Sequence, residues 1–528
     1  MIGAILRRDW RLLWPFVALL TVIEVCLQWA LHRYGFFGDD VAAKQLVGPL
    51  TVAWFAGACG LTIALVQHDA VPALDQDWLI RPIARTDLLL AKVLFVVLAI
   101  CLPMLVMDVV RALATGFGFG AALIEAIIKE TLVAAWLLVP VLAFAAIASN
   151  ATELLVLASA FIGVYSLGLS ASALAVGAAG CPTCDTGLNW LQHLLQHSEV
   201  LLAAAIILIL QYYFRQTRWS RALVLFGALA LALAQVPWTM AFALQSRLAP
   251  VPGAGTDVVL SFHPEAAADA HDAERAPAMP GPARALLPRG VGAYLERRAA
   301  RTAAVRIDLP MQITGIASDQ LLLIDRTRFE LSGGVGGEYR GVNTGAFHDR
   351  DPREVRAARI GEQTLYVPAQ AVAAGGTASS GLRLEYFLTL MRVVTRAQIP
   401  AQDGEWQAEA VGHCATRLDE GATYIYLRCR QIGRTPFCLS ATLYGADGRH
   451  DPEVTRCDPD YRPDLPSLTD LVRFYGLDIP LRGADLPSRP WTAADLAQAH
   501  LQVEIYGIAD HFTRTLVIPE IRLADWRR

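Results

Sequence analysis

Two patterns of apolar and polar positions divide the chain. Up to about residue 244 the apolar residues come in long runs. After about residue 301 they come in short runs that alternate with polar residues and end at turn formers. A helix of about 20 apolar residues covers a ~30 Å hydrocarbon core, so the first pattern predicts membrane spans. Seven are expected: Leu12–Leu31, Leu46–Val66, Leu88–Val109, one within Ala121–Ser149, one within Thr152–Ala179, Val200–Phe214 and Ala222–Leu244. No A-x-A-like cleavage site precedes His32-Arg33, so the first run reads as an uncleaved span rather than a signal peptide.

Positive residues set the orientation. Arg7, Arg8 and Arg11 precede the first span. Arg81, Arg85 and Lys92 lie between the second and third, and Arg215, Arg218 and Arg221 between the sixth and seventh. Seven spans put all three clusters on one side, the cytoplasmic one, while the opposite loops hold Arg33, Lys44 and Arg111. Everything after Leu244 is then expected outside.

The second pattern predicts strands. They are Ala304–Leu309, Leu321–Ile324, Leu382–Val394, Tyr424–Arg430, Phe437–Tyr444, Leu501–Tyr506 and Thr513–Ile518, with short helices at Tyr461–Tyr475 and Ala493–His500. The fold class expected is an α-helical membrane domain of about seven transmembrane helices followed by an extracytoplasmic all-β, sandwich-like domain, as one sandwich or two. The division is residues 1–244 for the polytopic membrane domain, 245–300 for a Pro/Ala-rich linker with one strand at Val258–Phe262, and 301–528 for the β-rich domain. Gly315-Ile-Ala-Ser and Gly507-Ile-Ala-Asp form an internal echo, which raises a duplication as one option.

Composition narrows the function. The 528 residues carry a net charge of -4, which argues against a nucleic-acid partner. The chain contains neither a G-x-x-x-x-G-K-[ST] loop nor a G-x-S-x-G elbow. Any ATP hydrolysis is therefore assigned to another chain, and no residue of this one is expected to be catalytic.

Of the nine cysteines, Cys26, Cys59 and Cys101 fall in spans. Cys414, Cys429, Cys438 and Cys457 crowd one stretch of the outer domain and read as two disulfides, Cys414–Cys429 across a hairpin turning at Asp419-Glu420-Gly421 and Cys438–Cys457. Cys181 and Cys184 form a C-x-x-C between spans five and six, followed by His193 and His197. An outer C-x-x-C reads first as a disulfide or redox pair. The weaker alternative is a zinc site made by all four residues. H-L-L-Q-H lacks the general-base Glu of a metalloprotease.

Ionisable residues in spans are read as functional by default. Asp108 and Arg111 near the end of span three, and Glu125 and Lys129 in span four, either line a translocation path or sit at the outer interface. In the second case Glu125 pairs with Lys129 at i,i+4.

The connector from Gln67 to Leu94 is longer than a turn requires. Asp69, Asp75 and Asp77 lead to Trp78-Leu79-Ile80, then Arg81-Pro82, Arg85 and Lys92. Charged and apolar residues alternate over Asp75–Arg85, as suits a segment lying along the membrane surface. This run resembles the first cytoplasmic loop of type-two ABC transporter permeases. There an acidic residue after the second span precedes a small helix, a leucine-leucine-x-x-Pro-x-x-Arg run and a Lys opening the third span. The resemblance covers the membrane half alone. It implies a bacterial inner-membrane permease subunit whose residues Asp69, Asp77, Trp78, Arg81, Pro82, Arg85 and Lys92 dock on a separate P-loop ATPase. That subunit would bind ATP and Mg, and a second permease subunit would complete the assembly in membrane lipid. The outer β domain is expected to contact or shield substrate. The rival reading is a membrane-anchored sensor or assembly protein whose β domain binds a partner without transport.

Overall fold

The structure is a computed structural model. It describes residues 1–37, 41–69, 84–178, 190–233, 244, 246–264, 304–331, 335–339, 360–368, 380–408, 411–419, 423–432, 438–451, 453–457, 471–481 and 491–526.

The helical region runs α1 (Ile2–Tyr34), α2 (Val41–Gln67), α3 (Arg85–Val96), α4 (Leu102–Ala114), α5 (Phe119–Val133), α6 (Val139–Ile147), α7 (Ala151–Ala178), α8 (Trp190–Ile209) and α9 (Thr217–Leu233). Three π-helical segments join neighbouring pieces: π1 (Val97–Cys101) between α3 and α4, π2 (Ala134–Leu138) between α5 and α6, and π3 (Leu210–Phe214) after α8. Pro103 and Pro140 stand just after π1 and π2. A proline there lacks the N–H that a regular helix would use, and the wider turn accommodates that loss.

Among the described residues, six helices are long and apolar enough to cross a membrane: Ile2–Tyr34, Val41–Gln67, Thr86–Ala114, Phe119–Ile147, Ala151–Ala171 and Leu194–Phe214. The seventh expected span corresponds to α9, and residues 234–243 beyond it lie outside the described residues. Large apolar side chains such as Leu19, Val52, Leu155, Leu167 and Phe226 are exposed around the bundle, as they are where lipid is the solvent. Inside, Trp54, Phe95, Leu65, Ile100 and Leu138 form one core.

The C-terminal half is rich in β-sheet. Its strands are β1 (Val259–Phe262), β2 (Ala304–Thr314), β3 (Gln320–Leu331), β4 (Val335–Tyr339), β5 (Ile360–Pro368), β6 (Ser380–Pro400), β7 (Gly404–Ala408), β8 (Gly412–Leu418), β9 (Tyr424–Ile432), β10 (Cys438–Tyr444), β11 (Val454–Cys457), β12 (Val472–Pro480) and β13 (His500–Ile521). They form three sheets, ordered β1-β2-β5, β11-β10-β13-β6-β3-β4 and β12-β9-β8-β7. β6 and β13 are the spine, 21 and 22 residues long and paired antiparallel throughout.

On β6, Leu382, Leu384, Tyr386, Leu388 and Leu390 alternate onto one face and meet Ile307, Leu309 and Met311 of β2. Such period-two spacing is what a half-buried strand requires. The other end of the spine (Ile399, Leu501, Val503, Ile505) packs against Cys414, Ile425, Leu427 and Leu477 of the four-stranded sheet. Both disulfides expected in the β domain are present: Cys414–Cys429 ties β8 to β9 and Cys438–Cys457 ties β10 to β11.

Four expectations change. Leu501–Tyr506 and Thr513–Ile518 are one strand, β13, because register shifts beside Tyr506 and Asp510 absorb the break at Gly507. The helix expected at Tyr461–Tyr475 gives way to β12 from Val472, while residues 458–470 lie outside the described residues. The helix at Ala493–His500 is shorter, Ala493–Leu496; Thr492 and Asp495 form a capping box at its start, and β13 takes over at His500. Within the 245–300 linker, the expected strand exists as β1 and belongs to the β domain: it pairs with β2, and the Arg514 guanidinium donates to the carbonyls of Val258 and Thr256 at 2.9 and 3.0 Å. The two echo motifs occupy different places. Gly315 turns the chain between β2 and β3 with φ +82°, where a Cβ would sit 1.9 Å from the Asp257 carbonyl, whereas Gly507 lies inside β13.

Candidate functional site

Helix α1 carries polar residues on its buried face at two levels. Asp9 lies near its start and Glu24 and Gln28 near its end, with Leu13, Val17 and Leu20 between them. At about 1.5 Å per residue the two levels are ~22 Å apart. Each is a layer of ionisable groups, buried except for Arg8 and His68 at the rim of the first.

The inner layer joins α1, α2 and α3. Lys92 Nζ lies 2.7 Å from Asp9 Oδ2 and 2.7 Å from Asp69 Oδ2. Arg8 pairs with Asp9 at 3.0 Å and also with Asp69. Lys92 is 1% exposed and Asp9 2%. Two carboxylates thus face two cations, with His68 Nδ1 3.6 Å from Asp69. Asp9, His68 and Asp69 lie close enough together to hold a metal ion, but their carboxylates already bind Lys92 and Arg8.

This layer contains two residues of the expected coupling connector, Asp69 and Lys92, and they are bonded to each other. Asp77, Trp78, Arg81 and Pro82 lie outside the described residues. Arg85 is the first residue of α3. Asp87, in the first turn of α3, suits the positive end of a helix.

The outer layer joins α1, α4 and α5. Asp108 accepts from Lys129 Nζ at 2.5 Å and from Gln28 Nε2 at 3.2 Å. Gln28 also donates to Glu24 at 2.8 Å and accepts from Arg111 Nη1 at 3.2 Å. Glu130 Oε1 is 3.8 Å from Lys129 Nζ. Asp108, Lys129, Arg111, Glu24 and Glu130 are all buried.

This corrects the expected pairing of Glu125 with Lys129. Lys129 faces α4 and takes Asp108. Glu125 lies one turn nearer the outer end of α5, is half-buried, and makes no ion pair among the described residues. Reasoning from sequence missed Asp9, Glu24 and Gln28 as members of these layers, and noted Glu130 only as an ionisable residue beside Lys129 at the start of the fourth span. The signal was present: Glu24 and Gln28 are an i,i+4 polar pair inside an otherwise apolar span.

The outer layer continues into the β domain. Arg111 Nη2 donates to the Val472 carbonyl of β12 at 3.3 Å. Around it, Val109, Ala112, Ala122 and Ala126 pack with Leu471 and Val472. The rest of the seam is aromatic. Tyr34 and Phe36 meet Phe474 edge-on, Phe117 meets His413, and Arg417 and Arg430 stack over Phe37 and Phe36 at 4.0 and 3.9 Å. A cavity of about 510 Å³ opens at this seam between His32, Gly35, Asp403, Glu405, Thr416 and Arg417. A second, apolar cavity of about 420 Å³ lies within the bundle between Phe144, Phe161, Ala204 and Val224.

Cys181 and Cys184 lie outside the described residues. The His193 side chain is likewise not described, and the His197 ring packs on Trp136 at 4.6 Å. Within the β domain, His511 is buried against Thr389, Nδ1 to Oγ1 2.7 Å. Burial pushes this imidazole down to about 4, despite the opposing pull of Asp510.

No family model, curated protein or solved structure matches the chain.

Proposed function

We propose that the chain is a membrane-spanning permease subunit of an ATP-driven transporter of the type-two ABC class. One observation carries the reading: the Gln67–Leu94 connector is closed at its base by the buried Lys92–Asp69 pair, which also grips Asp9 of α1. A surface loop with no task needs no such base. A loop that receives a push from an ATPase does, because the clasp passes displacement to the first three spans together.

In this reading α9 completes a seventh crossing. The Arg- and Lys-rich ends of α1, α3 and α9 face the cytoplasm. The β domain, which meets the bundle at the opposite end of α1, is extracytoplasmic, and its two disulfides suit an oxidising compartment. The domain is two sandwiches sharing the β6–β13 spine. It stands over the outer layer and its seam cavity, where it contacts or shields substrate. The ATPase subunit holds ATP and Mg, and a second permease subunit faces this one across the lipid.

The test is purification of tagged protein in mild detergent. A P-loop ATPase, identified by mass spectrometry and nucleotide hydrolysis, is expected in stoichiometric amount. It should be lost in the Arg81→Glu/Arg85→Glu variant, which still inserts in the membrane. A clean preparation without ATPase would favour the anchored sensor.

A further inference from the structure

The outer layer is unbalanced. Among the described residues, three carboxylates (Glu24, Asp108, Glu130) share two cations (Lys129, Arg111). Glu130 is 5% exposed and Glu24 2%. Both Glu130 oxygens and Glu24 Oε2 accept no hydrogen bond among the described residues. Glu24 is about 15 Å from the outer end of α1, and Glu130 about 17 Å from the outer end of α5. Both depths fall inside a hydrocarbon core, where a bare charge costs about 3 kcal/mol on insertion scales.

We propose that the outer layer is a proton-binding site and that Glu130 holds the proton. One proton, taken from water, cancels the excess charge. A proton is also the cation that needs no cavity, which suits side chains packed this tightly. Protonated Glu130 donates to Asp108, with which it shares the Lys129 ammonium: Asp108 Oδ2 lies 2.5 Å and Glu130 Oε1 3.8 Å from Nζ. Asp108 thereby keeps three partners: Lys129, Gln28 and Glu130. The groups facing Glu130 are Lys129 on its own helix, Asp108 on α4, Glu24 on α1 and the Cys101 thiol of π1, with Arg111 beyond them beside Glu24. The site belongs to the bundle whatever the chain transports. Because Gln28 links it to Arg111 and so to Val472, loss of the proton sets two carboxylates competing for Lys129 and loosens the hold on the β domain.

The test is infrared spectroscopy of the full chain in lipid nanodiscs at pH 7. The wild type should show the C=O stretch of one protonated carboxyl, slow to shift in D₂O because it is buried. The band should vanish in Glu130→Gln and persist in Glu125→Gln. Gln has the shape of the protonated acid, so the first variant is expected to elute as a single species. A wild-type spectrum without such a band overturns the proposal whether or not the variant folds. So does a band that survives Glu130→Gln, or one removed by Glu24→Gln alone.

Discussion

The two layers on α1 both set carboxylates against one lysine and one arginine, and they differ in balance. Inside, Asp9 and Asp69 meet Lys92 and Arg8, and each carboxylate holds a cation. Outside, three carboxylates surround two cations among the described residues, and carboxylate oxygens of Glu24 and Glu130 accept no hydrogen bond from any of these residues. Removing one partner of a buried pair strands the other, whereas an unbalanced set has spare acceptors ready. The inner layer is therefore a clasp that holds one geometry. The outer layer can rearrange.

That contrast can be broken by substitution. Lys92→Met should have the largest effect, destabilising the bundle by about 3–5 kcal/mol, because two buried carboxylates lose their shared ammonium. Thermal unfolding followed by size-exclusion chromatography reads it, and adding Asp69→Asn should restore part of the loss. A comparable loss should come from acid in the β domain, and must be separated from any response of the outer layer. His511 titrates near 4 when folded and near its ordinary value when unfolded, so between those limits the unfolded chain binds more protons. Stability is then complete above about pH 6.5 and falls as pH drops toward 4, by about 3 kcal/mol at most. The slope of melting temperature against pH should flatten in His511→Gln.

Asp108→Asn should cost less than Lys92→Met, about 2 kcal/mol, since Glu130 is on hand to take Lys129. Equal losses in the two variants would erase the contrast between the layers. Arg111→Met should cost least, about 1.5 kcal/mol, and should act at the seam: amide exchange should quicken at Val472 and its neighbours while residues around Asp9 stay unchanged.

Local features of the chain were legible in the sequence, and long-range ones were not. Six of the seven expected spans, most strands and the Cys414–Cys429 and Cys438–Cys457 pairs follow from apolar period, turn residues and cysteine spacing. The layers do not. Lys92 meets Asp9 across 83 positions and Lys129 meets Asp108 across 21, and no local pattern says which helix faces which. Glu125 and Lys129 are the natural i,i+4 pair on an isolated helix. A better-placed partner on α4 overrides it. β13 was divided at Gly507 for a related reason: the glycine reads as a break locally, while pairing with β6 carries the strand through.

π1 has a consequence for the phase of the third span. Lys92 and Asp108 are sixteen residues apart. At about 100° per residue, an uninterrupted α-helix would set them about 160° apart around its axis. Asp108 would then point to lipid when Lys92 points inward. The π turn takes up one extra residue and so winds the outer half back by about 100°, leaving about 60° between them. One additional residue in that turn rotates a carboxylate out of the lipid and into the interior.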